Sequence, residues 1–567
     1  MDDPVEITAL TLNCWGLKYI STLRAERLAE IGRRLAVLAA TPPPPGTSSS
    51  TAASDFAAIH RLTRHVLPYA KFFHGGVWGA GLAVLSRWPI TRTSMHGYTL
   101  NGRPTAFWRG DWFVGKGLAS ATVRVSAATT VEVLVTHTHA PYEGGRPDDS
   151  YLVHQLAQTW EAGKRMAAAA AVRGHLVLAM GDFNMTPQSL PYQMLFLGAH
   201  AHADAEAGAN ANANANANAL VLRDVWAELH PDASLGPVDH PQEQERQRRR
   251  QQQQQQQQQP LQPQQPQKET AVHIPTAAFN LTENGAASDN VLNTWRWPRA
   301  KQKQLHKSYR RRQREHGRGQ DGGDVDGIPH TFVVAPDTPD PRAKRLDYIF
   351  YASSSALLPS SSSSPGHGNW TAKTARVAMV EPHPTLGCSV SDHFAVEATL
   401  VRQPEQPKQT QHTPPVVGSA PAGVGLAPTD APAPFSADGD DDTRASALAV
   451  YDAVLAETEK YVVREQKQRR WRAGHFFASV AVTIGCYVAV WFSPRPFVAF
   501  LLMLLSSLGL ATGVVDGLLA LLFFGSELRS LREFYWEICN ARALAIAASM
   551  GGSLPFADEA KLEAIFS

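Results

Sequence analysis

The chain has 567 residues, 44% hydrophobic and 18% charged, with 53 lysines and arginines against 51 acids for a net charge of +2. That much apolar side chain excludes a wholly disordered protein, and the even balance gives no general attraction for nucleic acid. Its four cysteines, Cys14, Cys388, Cys486 and Cys539, show no CxxC or paired spacing, which argues against a disulfide scaffold or a zinc module and suits a reducing compartment.

The N-terminus has no basic stretch leading into an apolar one, so no secretory signal is expected. Residues 7–12 alternate as a strand that ends in Asn13-Cys14-Trp15-Gly16. Arg24–Ala40 has helical periodicity through Leu28, Ile31, Leu35 and Leu38. Strand-like apolar runs follow at 81–86, 131–136, 175–180, 347–351 and 395–401. Between them lie stretches that build no core: an Ala-Asn repeat near 209–219, a Gln tract near 241–267, a basic run near 299–319 and a Ser run at 360–364. The regions at about 199–270 and 299–328 are read as loop inserts, cheap because closure entropy grows slowly with length. The basic run, with Lys301, Lys303, Lys307, Arg310, Arg311, Arg312 and Arg314, reads as a solvated, disordered insert. Three parts result: a domain over 1–401, a Pro/Ala-rich tether over 402–442, and a C-terminal part over 443–567.

In that last part, apolar segments at about 474–492 and 497–524 are each long enough to cross a bilayer, and Ser493-Pro494-Arg495-Pro496 turns one into the other. The pair reads as a transmembrane hairpin, with Asp516 marking an interfacial or helix–helix contact. Arg464, Lys467, Arg469, Arg470 and Arg472 precede the first span; Arg529 and Arg532 follow the second. The positive-inside rule then places both flanks, and the large N-terminal region, in the cytosol, with Arg495 in the turn as a minor contrary sign. Arg469, Arg470 and Arg472, with Trp471 among them, are candidates for anionic phospholipid contact.

Polar residues cluster at the ends of the strand-like runs: Asn13, His137, Asp182, Asn184, Asp347, Asp392 and His393. Asp and Asn oxygens suit a hard cation such as Mg²⁺, which keeps water and substrate phosphate oxygens in its shell. Two histidines can stabilise phosphoryl oxygens and take a proton from water, and a carboxylate on one imidazole fixes its tautomer. Together they suit metal-assisted phosphodiester hydrolysis.

In Leu12-Asn13-Cys14-Trp15-Gly16, Thr136-His137-Thr138-His139, Gly181-Asp182-Phe183-Asn184, Arg345-Leu346-Asp347-Tyr348-Ile349 and Ser391-Asp392-His393, the chain resembles the deoxyribonuclease-I-like endonuclease/exonuclease/phosphatase superfamily. Its fold is a four-layer α/β sandwich, here with a C-terminal two-helix transmembrane hairpin. Asn13-Cys14-Trp15-Gly16, the run from Gly79 to Ser86, Leu292-Asn293-Thr294-Trp295 and Asp516-Gly517-Leu518 are similar to neutral sphingomyelinases, specifically the fungal inositol phosphosphingolipid phospholipases C. That resemblance implies a Mg²⁺-dependent phospholipase C on inositol phosphoceramide or sphingomyelin, in an endoplasmic reticulum or mitochondrial membrane. It implies Asn13 on the metal side, Asp182 and Asn184 orienting phosphate and water, His137 stabilising developing charge, His393 as general base oriented by Asp347, and Asp392 beside metal or phosphate. His139 shares a strand face with His137 and stays a second candidate. Asp111 and Lys116 have the five-residue spacing of that family's lipid-responsive switch, and a plain surface lysine is the other reading of Lys116.

One expected part is missing. The family's first helix leads into a strand ending in Leu-Gln-Glu, whose glutamate is the principal metal ligand. Here that interval holds Pro42-Pro43-Pro44-Pro45-Gly46-Thr47-Ser48-Ser49-Ser50. Proline cannot donate to a central ladder, so a core strand is expected to be absent, through either a misassigned exon boundary or an impaired homologue. Another phosphodiesterase of the same fold, a nuclease or an inositol-polyphosphate phosphatase, is the alternative activity. A nucleic-acid partner is not expected, and no protein partner is evident.

Overall fold

The computed structural model describes residues 6–17, 20–40, 46–49, 53–77, 79, 81–144, 146, 149–171, 175–209, 222–258, 272–316, 332–353, 369–403, 441–550 and 559–566. They form two units. The first comprises Met1–Tyr98, Arg103–Ala140 and Thr159–Ala437; the second comprises Thr99–Gly102, Pro141–Gln158 and Asp438–Ser567.

The alternation at the N-terminus sets the layers of the first unit. In β1 (Glu6–Asn13), Ile7 and Ala9 enter a core shared by two sheets, while Leu10 and Leu12 pack on the other face against Leu28, Ile31 and Leu35 of α1 (Arg24–Ala40) and Ile59 of α2 (Ala53–Thr63). The remaining strands are β2 (Gly46–Ser49), β3 (Tyr69–Phe73), β4 (Leu82–Ser86), β5 (Ile90–Gly97), β6 (Gly117–Arg124), β7 (Thr130–His137), β8 (His175–Asp182), β9 (Arg223–Asp224), β10 (Asp347–Ser353), β11 (Asn369–Ala378) and β12 (Ala395–Gln403). One sheet runs β11-β12-β1-β2-β4-β3 and the other β5-β6-β7-β8-β10-β9. Val133, Leu178, Met180, Ile349, Phe394 and Val396 fill the space between them. The short α3 (Asp111–Val114) leads into β6. On the second sheet's outer face, Phe196 of α5 (Leu190–Ala209) meets Phe350 with ring centroids 5.9 Å apart. α4 (Leu152–Ala170) crosses α5 where Gly163 and Gly198 leave no room for a Cβ against the facing backbone. Helix, sheet, sheet, helix: the four-layer sandwich forms as expected.

Three sequence expectations are corrected. The core strand is present: β2 pairs in parallel with β1, Ser49 opposite Asn13, and antiparallel with β4. The prolines precede the strand, and four residues suffice to complete the ladder, so the neighbouring strands keep their partner. The basic run is a helix, α9 (Arg299–His316), because every fourth residue finds an apolar seat. Leu305 is buried with Trp297 and Cys388, and Tyr309 packs beside it. Lys303, Lys307 and Arg311 are its exposed stripe. The Gln-rich stretch begins as α7 (Pro241–Gln258), following α6 (Val225–Leu229). Buried Glu243 accepts from the Leu235 amide at 2.9 Å and pairs with Arg246, tying the helix start to the fold. α8 (Ala277–Thr282) follows, capped by Thr276. The Ala-Asn repeat, the Ser run and most of the tether lie outside the described residues.

In the second unit, the first expected span is the end of a single 52-residue helix, α10 (Asp441–Phe492). After residues 493–495, the chain returns through α11 (Pro496–Leu518), a π-turn at Leu519–Phe523 and α12 (Phe524–Met550), with α13 (Glu559–Phe566) beyond. Both arms are long and apolar enough to cross a membrane, and Phe497, Leu501, Leu505, Leu508 and Leu521 point outward as a lipid-facing surface would. Asp516 is a helix–helix contact: its carboxylate takes Arg472 and, at 2.8 Å, His475. Arg472, one of the three arginines expected to meet headgroups, pairs with Asp516, while Arg469 and Arg470 are exposed. Beyond the apolar stretch the arms stay paired, Tyr461 donating to Glu527 at 2.8 Å and Tyr535 to Glu459 at 2.6 Å. His154 is buried in this unit, accepting from the Gly102 amide at 3.1 Å and bonding the Tyr461 hydroxyl at 2.9 Å.

Candidate active site

The site forms where β1, β7, β8 and β10 end or begin side by side. Antiparallel register sets Asp347 opposite Asp182, and parallel register sets His137 beside Asp182. That close approach needs Gly181 at φ +149, because a Cβ there would collide with the Thr136 carbonyl. The loop before β12 delivers the last two residues, fixed by the Phe394 amide donating to Ala287 O at 2.9 Å.

Asp182 is the hub. Its Oδ2 accepts from Asn13 Nδ2 at 2.9 Å and lies 3.5 Å from His137 Nε2 and 3.8 Å from His393 Nε2. Its Oδ1 accepts from the Asn184 amide at 3.0 Å, and Asn184, held at φ +48, donates its side chain to Thr138 O at 3.1 Å. His393 Nδ1 meets Asp347 Oδ2 at 2.7 Å, leaving Nε2 directed at the hub. Asp392 sits next to it, with Ser391 Oγ 3.2 Å from its carboxylate. Asn13, His137, Asp182, Asn184, Asp347, Asp392 and His393 are thus all brought together.

The electrostatics separate the two histidines. Burial pushes His137 down to about 4, and Lys116 reinforces the shift, so its imidazole is neutral. Burial acts the same way on His393, but the carboxylates of Asp347 and Asp182 outweigh it and hold the proton well above the ordinary range. Asp347 is itself raised to about 6, by burial first, and Asp392 is raised for the same cause. Asp182, Asp347 and His393 form a cluster that can hold a divalent metal ion. The donor set fits a hard cation: three crowded carboxylates repel one another, and Asp347 Oδ1 has no hydrogen-bond partner among the described residues. β2, reading Gly-Thr-Ser-Ser, adds no carboxylate.

Lys116 is no surface charge. It is buried, 3.1 Å from buried Asp111, and donates to Thr138 O at 2.7 Å, which sets its charge beside the hub. His139 is buried on the Asp111 side, Nε2 3.9 Å from that carboxylate and Nδ1 2.9 Å from Ala140 O, and burial lowers it to about 4. It faces this pair rather than the hub, leaving His137 as the histidine against Asp182. The sequence reading missed Arg27, Thr138 and Ser391. For Arg27 a signal existed: it occupies the stripe 27, 31, 35 of α1, where every other member is apolar.

A two-sheet sandwich with a His–Asp pair, a second histidine and a carboxylate cluster at its edge defines a hydrolase of the deoxyribonuclease-I-like class. Residues 10–240 match the endonuclease/exonuclease/phosphatase family. The inositol phosphosphingolipids phospholipase C of Schizosaccharomyces pombe is 30% identical over 97% of this chain and 98% of its own. The protein of that description in Saccharomyces cerevisiae is 27% identical over 94% and 90%. Human sphingomyelin phosphodiesterase 2 is 33% identical over 33% of this chain and 43% of its own. The chain belongs to the endonuclease/exonuclease/phosphatase family, as a homologue of its inositol phosphosphingolipids phospholipase C members.

Proposed function

We propose that this protein is a Mg²⁺-dependent phospholipase C that hydrolyses the phosphodiester of a membrane sphingolipid, inositol phosphoceramide or sphingomyelin, to ceramide and a phosphorylated head group. The observation that carries the reading is a hydrolase site and a membrane-length helix pair on one chain, similar end to end to a phospholipase C of inositol phosphosphingolipids.

Asn13 and Asp392, beside the Asp182–Asp347–His393 cluster, would hold the cation, which when bound would supply Lewis-acid stabilisation of the phosphoryl oxygens and offset the carboxylate charge. His393 Nδ1–H donates to Asp347, so Nε2 is the atom that takes the proton from water. Neutral His137 donates a hydrogen bond to a phosphoryl oxygen as charge builds there, and Asp182 and Asn184 orient phosphate and water. Lys116, paired with Asp111, adds positive charge beside the hub and is the lipid-responsive element of this reading. The catalytic domain faces the cytosol, on an endoplasmic reticulum or mitochondrial membrane, and exposed Arg469 and Arg470 contact anionic phospholipid.

A second reading, a catalytically impaired membrane-bound homologue, is favoured by β2, which ends at the site without a carboxylate. Head-group release from inositol phosphoceramide and from sphingomyelin, in mixed micelles containing anionic phospholipid, separates the two. The expected result is Mg²⁺-dependent turnover that falls by about 10³-fold in His393→Ala. Undiminished turnover in His393→Ala removes the general-base assignment, and no turnover of either sphingolipid by the natural sequence overturns the proposed activity in favour of an impaired homologue or another phosphodiesterase of the fold.

A further inference from the structure

Buried Arg27 touches no reacting group, yet it bonds both loops that carry them. The guanidinium is 0% exposed. Nε donates to Thr22 O at 2.8 Å, Nη2 to Trp15 O at 2.9 Å, and Nη1 to Val390 O at 2.8 Å and Cys14 O at 3.3 Å. Cys14 and Trp15 follow Asn13; Val390 precedes Asp392 and His393. The guanidinium carbon also lies 4.7 Å from the Trp15 ring centre and 5.5 Å from that of Trp295, and the indoles meet edge-on at 4.9 Å.

Those indoles stand on twin turns. Asn13 Oδ1 accepts the Trp15 amide at 3.0 Å and Asn293 Oδ1 accepts the Trp295 amide at 3.1 Å. The other end of each asparagine side chain reaches the site: Asn13 to Asp182 at 2.9 Å, Asn293 to Ser391 O at 3.0 Å. Ser391 Oγ closes the ring on Asn13 O at 2.5 Å. Within it Trp15 is held at φ +45, a left-handed conformation unfavourable for so bulky a residue, which persists only where the surroundings over-determine it. Burying a guanidinium in line with Ile31 and Leu35 is a poor way to gain stability. What it supplies is a planar fork for several carbonyls and a flat cation packed against two indoles that also touch each other, which a lysine cannot reproduce.

We infer that Arg27 is a positioning residue. It clamps the Asn13–Trp15 turn to the Val390–His393 loop and so sets the distance between the metal side of the site and its general base. The kinetic part of the test rests on the proposed hydrolysis; the exchange part does not.

The test uses the full chain in mixed micelles, comparing the natural sequence with Arg27→Lys, which keeps charge and stem, and Trp295→Leu, which removes one of the two indoles beside the guanidinium. By hydrogen–deuterium exchange, the amides of Trp15, Thr294, Trp295 and Ser389 should exchange at least about tenfold faster in Arg27→Lys, those of β7 and β8 staying unchanged. Trp295→Leu should move the Trp15 and Ser389 amides the same way by less. Correspondingly, kcat should fall about 10²-fold with KM within about twofold, as misplacing a reacting group does. Unchanged exchange in these loops in Arg27→Lys, or an equal rise throughout both sheets, would overturn the inference. If the natural sequence turns over no sphingolipid, the exchange result still decides the role of Arg27, and only the proposed function fails.

Discussion

At the residue scale, the His393–Asp347 pair is tuned by two opposing effects. Burial disfavours the imidazolium, and the facing carboxylates restore it and more. A general base acts only when unprotonated, so a raised pKa moves the acid limb of the rate profile to higher pH. Asp347→Asn removes the nearest carboxylate and leaves the burial, so the His393 pKa falls. The expected outcome is a kcat lowered by about 10²-fold or more, because the tautomer is no longer fixed, with the acid limb of log kcat displaced to lower pH. Rate profiles of the two proteins at saturating Mg²⁺ check this; a limb that stays in place or moves upward means another group titrates. The same reasoning separates the second imidazole. His137 has carboxylates nearby as well, but burial and Lys116 prevail and it stays neutral.

At the element scale, what could be read in the sequence followed from periodicity. β1, β4, β7, β8, β10, β12 and α1 are legible because alternation or a helical stripe persists over several residues, and Asn13, His137, Asp182, Asn184, Asp347, Asp392 and His393 lie at or beside the ends of such runs. The misreadings came from composition standing in for pattern. Prolines hid β2, a strand of four small residues with no apolar signature whose place comes from β1 and β4 on either side. Charge hid α9, whose only apolar anchors are Leu305 and Tyr309 among eighteen residues. Contacts such as that of Arg27 with Val390 join residues hundreds of positions apart, and no local pattern encodes them. α9 also yields a prediction. Gly387 sits at φ +67, and a Cβ there would overlap the ring of Tyr309. Gly387→Ala should therefore release the middle of α9, costing about 1–3 kcal/mol by overpacking and strain. Limited proteolysis should cut the variant after Lys303, Lys307 or Arg311 before the natural protein; equal protection would mean that the Tyr309 ring can move aside.

At the scale of the whole molecule, the helical unit has two chemically distinct lengths. The outer part of the hairpin, around Cys486 and Leu501–Leu508, presents apolar side chains and pairs its arms through small groups, with Gly513 against Ser479. The other part pairs through Tyr461–Glu527, Tyr535–Glu459 and Arg542–Asp452, contacts that belong in water or at its edge. The cluster of Asp516 with Arg472 and His475 lies where one character gives way to the other, the depth at which a charged group costs least. Two spans joined by a short turn return the chain to the side it left. The basic flank of α10 and Arg529 and Arg532 of α12 therefore share one face, and the proposed orientation, with that face in the cytosol, is open to test. The cysteines can report this. Cys14 and Cys388 are buried in the folded sandwich, Cys486 lies in the apolar part of α10, and half-buried Cys539 lies on α12 past the apolar stretch, among its charged residues. In sealed vesicles with the cytosolic face outward, a membrane-impermeant maleimide should modify Cys539 and spare Cys486. Protein washed at alkaline pH should stay in the membrane pellet. Modification of Cys539 only after the vesicles are opened would place the catalytic domain on the opposite face, and release by the alkaline wash would mean the arms do not span.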